Sequence, residues 1–387
     1  MSHGNEKLQN YFSYANTTGH GIIGKHNLSK HNLTFRETSV LLNSRLKLDG
    51  SMNLMRQVVK NKPTVGGFYM NPLVGLYRFP RGEDISYYKE NFEVYDEGRN
   101  LNIQNWHTSY EDFEQNPYWI TNRILSKENR MHVIVSLSAN LKINDWLSLQ
   151  ARGNVDYIND KVRQQFYAST APALAGANGR YIEMDYQETQ YYGDAILMMK
   201  KQWDAFSLNA ALGASINDKT VNSTRYDSKT ASLKYANVFN LANIIMNGSA
   251  GLDQKIDARR QLQSLFATAQ LGYNEFVYLD LSARNDWSST LAYTSHEKSG
   301  FFYPSVGFSL IFNKLMTLPR WVSLAKIRGA YSMVGNDIPM FITNPSSHIT
   351  AGGEFLASDA APFKDMEPEM THSFEAGIEA RFLKNRI

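Results

Sequence analysis

Gly19-His20-Gly21-Ile22-Ile23-Gly24-Lys25 satisfies a G-x-G-x-x-G spacing and most of a phosphate-cradling P-loop. Both motifs work by placing free backbone amides at the start of a helix, and the P-loop adds Ser or Thr after its lysine. Here His26 takes that position and Asn27 to Glu37 reads as a strand, so the motif reads as a glycine-rich loop between two strands. The nine histidines lack an H-E-x-x-H or comparable ligand spacing, which predicts no metal site. Gly248-Ser249-Ala250-Gly251 lacks the G-x-S-x-G spacing of a nucleophile elbow. With no cysteine at all, thiolate catalysis, thiolate metal binding and disulfides are excluded. The expectation is a protein without a cofactor and without an enzymatic constellation.

Residues 66–119 offer a different chemistry. Phe79, Tyr88, Trp106, Tyr110, Tyr118 and Trp119 stand among acids and amides, and such aromatics can stack on sugar faces, grip a peptide or form a protein interface. The competing reading is a long loop that packs on itself to stay ordered. Trp106, Tyr118 and Trp119 are the candidates for contact with a substrate or a covering partner.

The elements that must carry these loops are strands. Val133, Val135, Leu137, Ala139 and Leu141 alternate with polar residues, Asn144-Asp145 interrupts, and Leu147, Leu149, Ala151, Gly153, Val155 and Tyr157 resume the alternation. Eleven residues at about 3.3 Å, tilted about 40°, rise roughly 28 Å, close to the apolar band of an outer-membrane barrel. The pattern recurs at 191–200 with 206–217 and at 265–273 with 277–284, and more weakly at 9–18, 27–37, 41–58, 301–313, 322–335 and 372–384. About twelve strands and no helix are expected.

Connections alternate short and long. Short ones fall near Glu37–Val40, Asn144–Asp145, Lys201–Asp204, Asn274–Glu275 and Lys314–Arg320; long ones occupy 59–129, 159–189, 218–260, 287–300 and 336–371. Short inner turns with long outer loops are the mark of an up-and-down membrane barrel, and Trp146, Trp203 and Trp321 sit beside short links, where an aromatic girdle belongs. The polar strand faces, with Arg152, Asn154, Tyr278, Asp280, Ser282 and Arg284, are then candidate lumen-lining positions. Lys+Arg 40 against Asp+Glu 37 names no nucleic-acid partner. The fold class is all-β: a transmembrane antiparallel up-and-down β-barrel, partial, occupying 1–387, with outer-membrane lipid around it. The first seven residues have no apolar stretch, so no signal peptide is expected, and Leu383 to Ile387 reads as a turn into a further strand.

Ala283-Arg284-Asn285-Asp286-Trp287-Ser288-Ser289-Thr290 with Phe302-Tyr303-Pro304-Ser305-Val306, then Ile327-Arg328-Gly329-Ala330-Tyr331 through Gly335-Asn336, then Met366-Glu367-Pro368 through Gly377, resemble in order three blocks of the SusC/RagA group of TonB-linked outer-membrane importers of Bacteroidetes. Trp287, Tyr303 and Ser332-Met333 depart from the usual residues of those blocks. The resemblance implies a barrel of about 22 strands closed by a plug, a SusD-like surface lipoprotein as lid, and coupling to TonB–ExbB–ExbD through that plug. It also implies import of oligosaccharides or peptides without covalent chemistry. No plug domain and no TonB box are expected in this chain, which reads as the middle of such a barrel. A soluble β-rich binding domain and an outer-membrane barrel hydrolase are the alternatives.

Overall fold

In the computed structural model, residues 1–63, 69–108, 114–229, 233–246, 251–345, 347–349, 355–383 and 386 are described. The chain opens with β1 (Ser2–Gly4), β2 (Leu8–His20), β3 (Asn27–Leu41) and β4 (Leu46–Lys60). A long connection follows, carrying α1 (Pro72–Arg78), α2 (Ile85–Glu90), β5 (Glu93–Asp96), β6 (Leu101–Gln104) and α3 (Pro117–Arg123). Then come β7 (Ile124–Lys142), β8 (Leu147–Phe166), β9 (Arg180–Trp203), β10 (Phe206–Asp227), β11 (Gly251–Tyr273), β12 (Val277–Ser288) and β13 (Phe301–Ile311). The short α4 (Phe312–Leu315) leads to β14 (Val322–Asn336), the two-residue strands β15 (His348–Ile349) and β16 (Phe355–Leu356), and β17 (Glu369–Phe382).

Thirteen strands form one sheet in the order β1-β2-β3-β4-β7-β8-β9-β10-β11-β12-β13-β14-β17, every strand antiparallel to the one before it. Twelve of them correspond to the twelve expected from alternation; β7 to β12 run on well beyond their apolar stretches, whereas β13 stops two residues short of its expected end. The sheet is open, with β1 on β2 at one edge and β17 at the other.

Register makes the alternation a property of the whole sheet. Leu46, Leu141, Leu149, Leu197, Leu212, Ala267 and Ala283 stand directly opposite one another on successive strands, and so do Leu48, Ala139, Ala151, Ala195, Ala214 and Leu265. This apolar face has nothing packed on it: Leu212 is 56% exposed and Ile378 84%. An aqueous protein does not leave a continuous apolar sheet face open, whereas lipid covers one at no cost. Aromatics bound the face at both heights. Trp146, Trp203, Phe206, Tyr273 and Trp321 lie at the end with the short turns, where Lys201 Nζ sits 5.4 Å from both the Trp146 and Trp203 ring centres. Tyr14, Tyr191, Phe302 and Phe374 lie exposed toward the other end. No helix among the described residues is long and apolar enough to cross a membrane, which has no bearing on crossing by strands.

The short turns differ in place and length from the sequence expectation. Glu37–Val40 is not a link but part of β3; the chain reverses at residues 42–45, with positive φ at Leu42, Asn43 and Ser44. Between β11 and β12 the chain reverses in the three residues 274–276, with positive φ at Asn274 and Glu275 and the Phe276 amide donating to the Tyr273 carbonyl at 3.1 Å. Lys201 to Trp203 likewise belong to β9, leaving residues 204–205 to turn. The expectation of no helix fails at α1, α2, α3 and α4. They are too short to display a 3.6-residue apolar period, and α1 and α3 are set by Pro at the first turn with Asn71 and Asn116 as side-chain caps.

Burial on the two faces predicts different tolerance. In the protein refolded into bilayers, Leu212→Arg should destabilise by about 2–4 kcal/mol, as a charge near the midplane of a lipid face does. Gln270→Arg, opposite Asp280 on the polar face, should change stability by less than about 1 kcal/mol. Equal costs at the two positions would refute the assignment of faces.

Candidate functional site

Two features could meet a solute: the polar face of the sheet and the mass of long connections at one end. On the polar face, Thr38, Asp49, Ser138, Arg152, Asp194, Ser215, Ser264 and Asp286 stand opposite one another across eight strands. The row is knitted by charge-assisted bonds. Asp49 accepts from Arg36 at 2.6 Å and from the Thr38 hydroxyl at 2.7 Å. Arg152 grips Asp194 through Nε and Nη2 at 3.0 and 2.6 Å, and the Tyr192 hydroxyl donates to the same carboxylate at 2.6 Å. Arg284 donates to Ser264 at 2.7 Å and Asp286 at 3.0 Å, with its guanidinium 5.7 Å from the Phe266 ring centre. The Asp194 side chain is fully covered while Arg152 stays half-exposed, so the acids anchor and the cations remain partly open to water.

All six positions singled out on the strands share this face. Besides Arg152 and Arg284, Asn154 donates to Ser136 at 2.7 Å, Asp280 accepts from Gln270 at 2.7 Å and Ser282 meets Ser305 at 2.9 Å. Tyr278 stands opposite Gly272, where a Cβ would come within 3.0 Å of its ring. Sequence alternation found these positions but not the partners Asp194, Tyr192 and Ser264, because cross-strand register is invisible in one sequence.

At the other feature, the connections 61–123, 167–179 and 228–250 interlock. Gln115 bridges two of them, its amide donating to the Tyr69 carbonyl at 2.6 Å and its oxygen accepting from the Ala171 amide at 2.8 Å. Asn116, fully buried, caps α3 by accepting from the Tyr118 amide at 2.8 Å and donates to the Tyr88 and Asn105 carbonyls at 2.9 and 2.8 Å. The third connection joins through Asn237, which accepts from the Ala168 amide at 2.7 Å, while Leu233, Ile244 and Tyr181 form a small core with Phe239 beside it.

Trp106 and Trp119 lie inside this mass, 8% and 1% exposed. The Trp119 indole donates to Thr170 at 3.1 Å, and Trp106 packs on Phe79 and Tyr88 at 5.3 Å each while its indole meets buried Glu114 at 3.3 Å. Glu114 also faces Arg78 at 2.9 Å and His107 at 3.0 Å. Tyr118 is half-buried. The aromatics left outward are others: Tyr77, Tyr87 and Tyr95. The sequence signals for this architecture were Asn71-Pro72 and Asn116-Pro117, each a cap followed by the residue favoured at a helix start.

The glycine motif forms the hairpin loop at residues 21–26, where Lys25 has φ +66° and its amine donates to Asn122. No helix follows it, so it has no phosphate-binding amide cluster. Gly248 to Ala250, Phe68, Tyr110, Phe113, and residues 384, 385 and 387 of the expected further strand lie outside the described residues.

The three sequence blocks converge in space. Asp337, just after Gly335-Asn336, accepts from Ser288 and Thr290 at 2.6 and 2.5 Å, from Arg260 at 2.6 Å and from the Ile338 amide at 2.8 Å. Gly335 lies against the Tyr303 ring, where any Cβ would fall 2.5 Å from it. Burial pushes the Asp337 carboxyl upward, but the two hydroxyl bonds and Arg260 outweigh burial and hold it below the ordinary carboxylate range.

A face apolar between two aromatic girdles, a hydrogen-bonded polar face and long connections gathered at one end define part of the wall of an outer-membrane β-barrel. The chain belongs to the TonB dependent receptor-like β-barrel family, whose profile matches residues 67–387. The structure of the RagAB peptide transporter superposes with a TM-score of 0.72 at 18% identity, over 100% of this chain and 42% of that one. Fiu, the ferric-catecholate import receptor of E. coli K12, gives 0.55 at 11% identity, over 99% and 53%. The siderophore receptor PiuA of Acinetobacter baumannii gives 0.54 at 11%, over 98% and 51%. The chain thus spans about two fifths of the length of the RagAB chain. No curated protein matches it.

Trp119→Ala should cost about 3–5 kcal/mol locally by removing a buried indole and stranding Thr170; hydrogen exchange should show lost protection in 61–123 and 167–179 with the strands unchanged. Because the folded Asp337 carboxyl sits below its unfolded value, its contribution is complete above the unfolded pKa of about 3.9 and is lost as pH falls through the folded value. Protease access to 337–368 should therefore rise below about pH 4, and Asp337→Asn should show raised access already at pH 7. A variant as protected as the parent would refute the clasp.

Proposed function

We propose that, within its full-length parent, this sheet supplies part of the barrel of a TonB-coupled importer of peptides or glycans. A plug borne elsewhere in the parent would sit against the polar face, and a SusD-like lipoprotein would close over the outer connections. Arg152, Asn154, Tyr278, Asp280, Ser282 and Arg284 would line the channel. The observation that carries this reading is the pairing of a water-compatible sheet face with a loop mass that is packed from within. Such a rim presents a fixed surface to an incoming solute, so less ordering free energy is lost on binding.

In this reading Trp106 and Trp119 act by shaping the rim, with Tyr118 at its margin and Tyr77, Tyr87 and Tyr95 as the outward aromatics. Peptides rank first among substrates, because the RagAB structures are named as a peptide transporter and importer; glycans remain the second class that exposed aromatics suit.

The test is uptake by cells carrying the full-length parent, supplied with either defined oligopeptides or oligosaccharides as sole source. Growth on one class should be abolished when the parent is deleted. Trp106→Ala combined with Trp119→Ala should weaken binding of that class at least tenfold while the barrel still assembles. Unchanged binding would remove the rim from substrate recognition, and growth indifferent to deletion on both classes would remove the importer reading.

A further inference from the structure

One carboxylate stands on the apolar face where a hydrocarbon side chain belongs. On β3 that face carries Leu33, Phe35, Glu37, Ser39 and Leu41, with Glu37 at the middle, between Asn10 of β2 and Gly50 of β4. Glu37 lies five residues above the turn at 42–45, which at about 3.3 Å per residue and a tilt of about 40° is roughly 13 Å, half the height of an apolar band of about 25 Å. It is exposed, and among the described residues it has no ion pair, only a long bond from the Ser39 hydroxyl at 3.4 Å. Along the first eight residues from the short turns, the apolar face of β4, β7 to β14 and β17 carries one other charge among the described residues. That charge is Lys201, two residues from the end of β9 and at girdle height beside Trp146 and Trp203.

A lipid tail offers a carboxylate no donor, and Glu has too short a side chain to carry its charge across roughly 13 Å to water. Ionisable side chains at such depth pair with another group or line a wet cavity, and the wet side of this sheet is its other face. The surface beside Glu37 is also shaped to receive a side chain. Phe35, Ser39, Leu48 and Leu137 border a groove floored by Gly50, which stands directly opposite Glu37. A small residue at such a place lets a second backbone approach closely within a membrane.

We propose that this groove is covered in the membrane by a bilayer-crossing segment of a different polypeptide, apolar except for one Lys or Arg at mid-depth that pairs with Glu37. The inference rests on the barrel reading, since it needs the apolar face to lie in the bilayer. Charge complementarity selects the occupant. Acyl chains would fill the groove and leave the carboxylate without a donor. A second copy of this chain fits less well: a two-fold contact centred on the groove sets Glu37 against Glu37, and the apolar face of the described strands holds no cation at that depth to meet it.

The experiment uses the full-length parent, with any cysteines elsewhere removed and a fluorophore on a single cysteine, either Leu48→Cys beside the groove or Leu212→Cys on β10. A bilayer-soluble quencher reads lipid access in outer-membrane vesicles of the parent's own cells, and again after purification and refolding into bilayers free of other proteins. Both positions should be quenched in the refolded protein. In the native membrane position 212 should stay quenched while quenching at position 48 is lost, and Glu37→Gln or Glu37→Leu should each restore it. A synthetic Leu-Ala transmembrane peptide with one central Lys, added to the refolded protein, should protect position 48 at a concentration about tenfold lower than the same peptide with a central Gln. That advantage should vanish in Glu37→Gln. Equal quenching at both positions in the native membrane would overturn the proposal. So would protection that survives Glu37→Gln, or a crosslink from position 48 whose added mass is a second copy of the parent. Absence of quenching at position 212 in the refolded protein would instead remove the barrel reading, and the inference with it.

Discussion

Backbone amides and carbonyls that enter hydrocarbon have no water to bond, so each must find a partner in the protein. Nearly every other feature of this chain follows from that requirement. Consecutive strands pair with their sequence neighbours, which leaves no crossover and sends the chain alternately to one end and then the other. The sheet is open at β2, with short β1, and at β17. A bilayer requires partners for both edges, and the RagAB chain it matches is more than twice as long.

Given that scaffold, the two faces and two ends divide the work. One face is apolar and held between aromatic girdles; the other carries Arg152, Asp194, Tyr192, Arg284 and Ser264 in a bonded network. Turns at one end need only reverse the chain. Connections at the other are long enough to build cores of their own, around Trp119 and around Leu233. Asp337 then ties the connection after β14 to the middle of β11 through Arg260 and to the end of β12 through Ser288, so the rim is fastened to the wall.

The strands were legible because period-two alternation is strong where one face meets lipid and the other water. Twelve long strands and the face of Arg152 or Asp280 could be read directly. Their ends could not, since beyond Tyr157 or Tyr191 both faces become polar and alternation fades although pairing continues to Phe166 and Arg180. The short link near Glu37–Val40 was misplaced because Leu41 still belongs to the ladder while residues 42–45 turn through positive φ, which non-glycine residues do not advertise. In residues 61–123 the competition between an outward-facing and a self-packed aromatic loop is decided by long-range bonds such as Gln115 to Tyr69 and Ala171, which no local pattern encodes. Of the helices there, α1 and α3 rest on Asn-Pro starts and α2 on the Asp84 cap, and none is long enough to show an apolar period.

The absence of cysteine from this chain permits a direct measurement. Single cysteines placed in turn from Leu149 to Tyr157 in β8 of the full-length parent, with any cysteines elsewhere in the parent removed, can be probed with a charged, membrane-impermeant reagent and with a bilayer-soluble quencher of an attached fluorophore. The account predicts strict alternation: positions 149, 151, 153, 155 and 157 quenched from lipid, and 150, 152, 154 and 156 reached from water. Water access at every position, or quenching at none, would contradict a membrane-spanning sheet with this register.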